Sequence, residues 1–224
     1  YRTDIRETKG GNMTRFLGAI LLVLVGLARA DAGGEKAGVF DYYVMSLSWS
    51  PSWCALTGDA RGEDQCDPRH DYGFTLHGLW PQFEHGWPSF CPTIERAPSR
   101  QMTRDMADIM GSDGLAWHQW DKHGRCTGLS ADGYYSAARA AYGKVTRPDI
   151  LRRMTKAMAL PAKVVEAAFL AENPDLKADM VTVTCERGYF QEVRICLTKD
   201  LEPRLCGPDA ARDCLQRVVL PPVR

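Results

Sequence analysis

The 224-residue chain has no excess of charge of either sign, with 28 Lys and Arg against 28 Asp and Glu. Proteins that grip many phosphates at once are usually basic, so this balance argues against coating or tracking a long polyanion. Any nucleic-acid contact should be local, a few cations around one or two phosphates. There is no C-x-x-C pair and the cysteine spacings are irregular, which speaks against a structural zinc site. There is no H-E-x-x-H, the helical signature of zinc hydrolases. No apolar run approaches the roughly 20 residues needed to cross a bilayer. No internal repeat, low-complexity tract or linker divides the chain, so one domain is expected.

Apolar residues make up 45% of the chain and charged residues 25%. That is enough apolar side chain for a core and too little charge for disorder. Near the start, Met13-Thr14-Arg15 is a short basic stretch, Phe16 to Leu27 is apolar, and Ala28-Arg29-Ala30 has the small-x-small form of a signal-peptidase site. Residues 13–30 are therefore expected to be a signal peptide, 1–12 an upstream extension outside the fold, and 31–224 a single domain. Residues 31–224 carry 23 Lys and Arg against 26 Asp and Glu, a net charge of −3, so removing the leader creates no basic field. Eight cysteines follow the leader: Cys54, Cys66, Cys91, Cys126, Cys185, Cys196, Cys206 and Cys214. An even count in an exported chain reads as four disulfides, with a pairing that spacing leaves open.

Hydrophobic patterning predicts strands at Val39–Trp49, Phe74–Leu79, Met180–Thr184 and Gln191–Thr198, and a further one around Val218–Leu220. It predicts helices at Arg100–Met110, Leu115–Lys122, Ala131–Tyr142, Asp149–Met158 and Ala162–Glu172. Early strands, middle helices and late strands, without regular βαβ alternation, predict an α+β fold in which helices flank a central antiparallel sheet.

Two segments concentrate the histidines. Phe74-Thr75-Leu76-His77-Gly78-Leu79-Trp80-Pro81-Gln82 places one inside an apolar strand, where alternation puts Thr75 and His77 on one face and Leu76 on the other. Gly78 beside it removes a side chain and would admit a substrate backbone. Trp80 offers a flat face to a base, or a ring to the core. In Trp117 to Cys126, taken as a helix with His118 at zero, Lys122 falls near 40°, Gln119 near 100° and His123 near 140°. Trp117, Trp120 and Asp121 fall on the other side, so the aromatics are free to pack beneath a proton-handling face. A solvated polar face is the ordinary alternative for such a helix, and a satisfied core residue the ordinary fate of a lone strand histidine. Zinc would fit three imidazoles, but His-x₄-His is an awkward spacing and Lys122 adds a positive charge among the ligands. Phosphoryl transfer fits better. Cleaving RNA needs a base for the 2′-hydroxyl and an acid for the departing 5′-oxygen, and imidazole serves as either near neutral pH. A cation and donors must steady the charge on the phosphoryl oxygens, which Lys122, His118 and Gln119 could supply.

FTLHGLWPQ at 74–82 and HQWDKHGRC at 118–126 resemble the two active-site segments of T2-type ribonucleases, the second commonly written HEWxKHGTC. YYVMSLSWSPSWC at 42–54, VTVTC at 181–185 and EVRIC at 192–196 resemble the family's first and late strands, so the resemblance spans roughly Val39 to Cys214. It implies a metal-independent, cofactor-free endoribonuclease that forms 2′,3′-cyclic phosphates and then 3′-phosphates. His123 is then the general base, His77 the general acid, His118 a phosphate-holding histidine and Lys122 the transition-state cation. Trp80 lines a base site, and Gln82 and Arg125 are further candidates for substrate contact. The implied partner is single-stranded RNA. DNA, which lacks the 2′-hydroxyl, is expected not to be cut, and the processed chain is expected to be a monomer free of the membrane. The implied disulfides are Cys54–Cys66, Cys91–Cys126, Cys185–Cys214 and Cys196–Cys206. Two positions depart from the family pattern. Gln119 stands where Glu is usual, and an amide hydrogen-bonds but does not exchange protons, so a weakened T2-like protein that binds RNA or other proteins is the alternative reading. Arg125 stands where Thr is common and fits either a phosphate contact or a solvent-facing side chain.

Overall fold

The computed structural model describes residues 35–224. The expected extension at 1–12 and signal peptide at 13–30 lie outside the described residues. The chain enters β1 (Tyr42–Trp49), whose odd positions Tyr43, Met45, Leu47 and Trp49 point into the main core. Its even positions Tyr42 and Val44 pack against Cys196 and Ala210 on the opposite face. Short helical turns follow, α1 (Ser50–Trp53) and then α2 (Asp59–Arg61), the second inside the loop closed by the Cys54–Cys66 disulfide. The chain then returns antiparallel to β1 as β2 (Phe74–Gln82). This strand runs past Trp80-Pro81, where the sequence suggested a stop. β2 is the outer strand of the sheet, and a proline whose missing N–H faces outward costs no ladder bond.

The expected helix over 100–110 is two, α3 (Arg100–Asp105) and α4 (Ala107–Met110), broken at Met106. α5 (Asp113–Lys122) starts two residues earlier than the apolar pattern, because the Ser112 hydroxyl accepts from Leu115 N and caps it. α6 (Ala131–Lys144), capped by Ser130, lays Tyr134, Ala138 and Ala141 onto β1 and β2. The helix expected over 149–158 ends early: α7 covers only Asp149–Arg152, and Met158–Pro161 forms strand β3. Its partner is the late strand β6 (Arg217–Leu220), which lies far away in sequence, and long-range pairing overrides the local helical pattern. α8 (Ala162–Glu172) packs over β4 (Val181–Glu186), which pairs with the long central strand β5 (Tyr189–Leu197).

The six strands run in the order β2-β1-β5-β6-β3, with β4 paired to β5. All named pairings are antiparallel except the bridge of β5 to β6 at Tyr189 and Val219, so the sheet is mixed rather than wholly antiparallel. Three further disulfides, Cys91–Cys126, Cys185–Cys214 and Cys196–Cys206, tie loops to this α+β frame. No described helix is long and apolar enough to cross a membrane.

The packing that fixes α5 is aromatic. Trp120 is 2% exposed and tilts against Tyr134, whose hydroxyl donates to Leu79 O on β2. A Cβ at Gly124 would come within 2.6 Å of the Trp120 ring and 2.8 Å of Tyr134. Trp120→Ala is expected to cost about 3–5 kcal/mol. Urea unfolding would show it as a lower midpoint at unchanged slope, and a loss under about 1 kcal/mol would mean that this packing does not hold the helix.

Candidate active site

Alternation alone would send His77 and Trp80 to opposite faces of β2. The register with β1 shows why both reach one cleft. Gly78 lies opposite Ser46 and Leu76 opposite Leu47, so His77 is an extra residue in a β-bulge. A bulge bends the strand locally and re-aims the side chains on either side of it. The His77 and Trp80 rings meet edge to face with centroids 5.1 Å apart.

The second segment reaches the cleft from the C-terminal end of α5. His118 and Lys122, one helical turn apart, face it together with Gln119. His123 is the residue just past the helix, where φ −117° leaves the helical path. Its position is pinned on both sides. Phe90 N donates to Lys122 O, and the Cys91–Cys126 disulfide holds the following turn. The His123 ring stacks on Trp80, 5.4 Å between centroids and 29° between planes. Its Nδ1 is buried without a partner, which leaves Nε2 as the nitrogen open to a substrate. Burial pulls its pKa from the ordinary 6.5 to about 3, helped by the positive charges of Lys122, His77 and His118. At neutral pH this imidazole is therefore uncharged.

Gly78 does not keep space for a substrate backbone, as its sequence position suggested. A Cβ there would fall 2.1 Å from Gln119 Oε1 and 2.3 Å from Trp80 Nε1. The space belongs to a hydrogen bond in which the Trp80 indole donates to Gln119 Oε1 at 2.7 Å. Gln119 is 1% exposed, so its amide acts as a buried strut between α5 and the Trp80 ring, with its other polar end toward the cleft.

Two charged residues on β5 belong to the site and were not singled out from the sequence. Glu192 receives His77 Nδ1, the Ser48 hydroxyl at 3.3 Å, and Arg194 through Nε at 3.0 Å and a terminal nitrogen at 2.8 Å. Burial by itself would raise its pKa. The hydrogen bonds and charges of His77 and Arg194 outweigh that and hold it at about 2, so the carboxylate stays ionised. Arg194 also lies over Trp80, its guanidinium 5.2 Å from the ring. The only sequence signal for these two was polar residues alternating along a strand, which is the ordinary pattern of a solvated sheet face.

His77, Trp80, His118, Gln119, Lys122, His123 and Arg194 line a cleft of about 350 Å³, with Gln82 in its wall, while Glu192 lies beneath His77 and borders a second hollow instead. Arg125 is not among its lining residues. It pairs with Asp121 one turn back at 2.9 Å. Trp117, expected to pack with Trp120, is 49% exposed. His70 pairs with Asp64 in the disulfide-closed loop and His85 is exposed, so neither joins the site. Among the described residues, the one cluster of three metal-type ligands is Cys54, Asp59 and Cys66, and its two sulfurs are bonded to each other.

The state of His123 has a measurable consequence. Unfolded, it protonates near 6.5; folded, only near 3. Between these values unfolding takes up a proton. Stability is thus complete above the unfolded value and falls as pH drops, by up to about 1.4 kcal/mol per pH unit. Glu192 adds its own loss only below its ordinary 4.5. From pH 6.5 down to 4.5, His123→Phe should lose stability less steeply than the parent in urea titrations. Equal slopes would mean that His123 is not held neutral.

Residues 40–206 match the family model described as the Ribonuclease T2 family. A ribonuclease of Aeromonas hydrophila is 40% identical, over 90% of this chain and 93% of its own length. Among solved structures, trichomaglin, described as a novel S-like ribonuclease, superposes with a TM-score of 0.64 at 21% identity, covering 83% of this chain and all of its own. RNase NT, solved in complex with 5′-AMP, does so with a TM-score of 0.55 at 20% identity, covering 82% and 99%. With that match across most of its length, and with both histidine segments brought to one cleft, the chain belongs to the ribonuclease T2 family and is a T2-type endoribonuclease.

Proposed function

We propose that this enzyme cuts single-stranded RNA without a metal, using the substrate's own 2′-hydroxyl as nucleophile. The observation that carries the proposal is the pair of imidazoles that both touch Trp80, one of them uncharged and the other set against a buried carboxylate. His123 Nε2 takes the 2′-hydroxyl proton while the 2′-oxygen bonds to phosphorus. The bond from phosphorus to the 5′-oxygen breaks, and His77 gives that oxygen its proton. The products are a 2′,3′-cyclic phosphate and a free 5′-hydroxyl. In the second step the roles reverse, with water as nucleophile and a 3′-phosphate as product.

The nucleophile is already tethered beside its phosphate, so the protein's tasks are orientation, proton transfer and charge stabilisation. Lys122 and His118 supply positive charge and donors to the phosphoryl oxygens, and Gln119 supplies amide hydrogens. Trp80 gives a base a face to stack on. A second hollow of about 360 Å³ borders His77 from the other side and includes Ser48, Gln65 and Leu115, which leaves room for nucleotides on both sides of the scissile phosphate. DNA lacks the nucleophile and is not a substrate. The enzyme acts as an exported monomer. Export rests on the basic, apolar and small-residue pattern of positions 13–30 and on four disulfides, which persist in oxidising compartments.

Dinucleoside phosphates incubated with the protein in EDTA should be cleaved and their deoxy counterparts left intact. His77→Phe and His123→Phe should each lower kcat/KM by about 100-fold or more. Near-native rates in either variant, or loss of activity with chelator, would overturn the mechanism. Gln119→Glu restores the family's usual carboxyl while keeping an acceptor for the Trp80 indole. It should raise kcat by about 10-fold. An unchanged kcat would show that the amide already serves fully, and activity emerging only in the variant would favour a weakened RNA-binding protein.

A further inference from the structure

The sheet side of His77 is more elaborate than a proton donor needs. Glu192 is 1% exposed, and both its carboxylate oxygens are engaged. Oε1 meets His77 Nδ1 and the Ser48 hydroxyl, and Oε2 takes both Arg194 bonds. The arrangement follows from register. Glu192 sits opposite Ser48 and Arg194 opposite Ser46, so both project from one face of β5, next to the bulge that carries His77.

An ionised carboxylate only accepts hydrogen bonds, so the ring nitrogen it meets must carry a proton. With Nδ1–H turned inward, Nε2 is the nitrogen turned to the cleft, and the ring cannot swing without breaking a buried charge-assisted bond. We propose that Glu192, anchored by Arg194, is a positioning residue that holds His77 with Nδ1–H inward and Nε2–H toward the departing 5′-oxygen. The inference rests on the assignment of His77 as the acid.

Arg194 completes the device. When His77 gives up its Nε2 proton it loses its charge, and a buried carboxylate facing only a neutral ring would be stranded. The two bonds from Arg194 keep Glu192 paired throughout the step. Because the guanidinium also lies over Trp80, the anchor is braced against the ring that both histidines touch.

The test compares two leaving groups. A dinucleoside phosphate needs its 5′-oxygen protonated, whereas uridine 3′-(4-nitrophenyl phosphate) releases nitrophenolate without a proton. Glu192→Gln in the full-length protein should lower kcat/KM by about 10- to 100-fold on the dinucleotide, through kcat, and by less than about 3-fold on the nitrophenyl ester. Proton NMR of the parent should show a low-field Nδ1–H resonance that disappears in His77→Phe and in Glu192→Gln. Equal losses on both substrates, or no loss on either, would overturn the proposal. Should Glu192→Gln fail to fold, the parent spectrum decides: without a low-field resonance that His77→Phe removes, the proposal falls. His77→Phe on the same two substrates checks the reading beneath it, because equal losses there would mean that His77 is not the acid.

Discussion

Between Leu76 and Gly78, β2 carries one residue more than β1 opposite it, and the surplus residue is His77. A strand in unbroken register would show His77 and Trp80 to opposite sides, whereas here their rings meet. The bulge lies on an outer strand, where only one ladder is disturbed, and β1 is held on its other edge by β5. The geometry of the cleft is thus set by a local irregularity that a rigid neighbour makes tolerable.

Around that irregularity the site is electrostatically lopsided. His123 is buried among positive charges and apolar surface, so its imidazole is neutral. His77 is half-buried against an ionised carboxylate that Arg194 holds in place. Two copies of one side chain thereby face opposite environments, the condition under which one takes a proton and the other gives it. Trp80 is the shared contact. It touches both rings, is fixed by Gln119 from the helix, and is covered by Arg194 from the sheet. Gln119 therefore has an architectural part beside any role toward the substrate, and an amide accepts the indole hydrogen as a carboxylate would.

Much of this was legible in the chain alone. The apolar periods of α6 and α8, the strands around Tyr42–Trp49 and Tyr189–Leu197, and the shared helix face of His118 and Lys122 are local properties, set by 3.6- and 2-residue repeats. The even cysteine count pointed to disulfides. The segments FTLHGLWPQ and HQWDKHGRC carried the family.

Tertiary structure decided the rest, wherever a partner distant in sequence competes with local preference. β3 exists because β6 pairs with it, and residues 149–158 read as helix until that pairing is known. Gly78 is open for Gln119 rather than for a ligand, and Arg125 turns to Asp121 rather than to the cleft. Glu192 and Arg194 gave no sign in a strand of ordinary alternation, because what sets them apart is burial against a histidine 115 residues away. A sequence states which groups are present and their local period. Register, burial and the charge felt by each imidazole arise only when separate segments exclude water together.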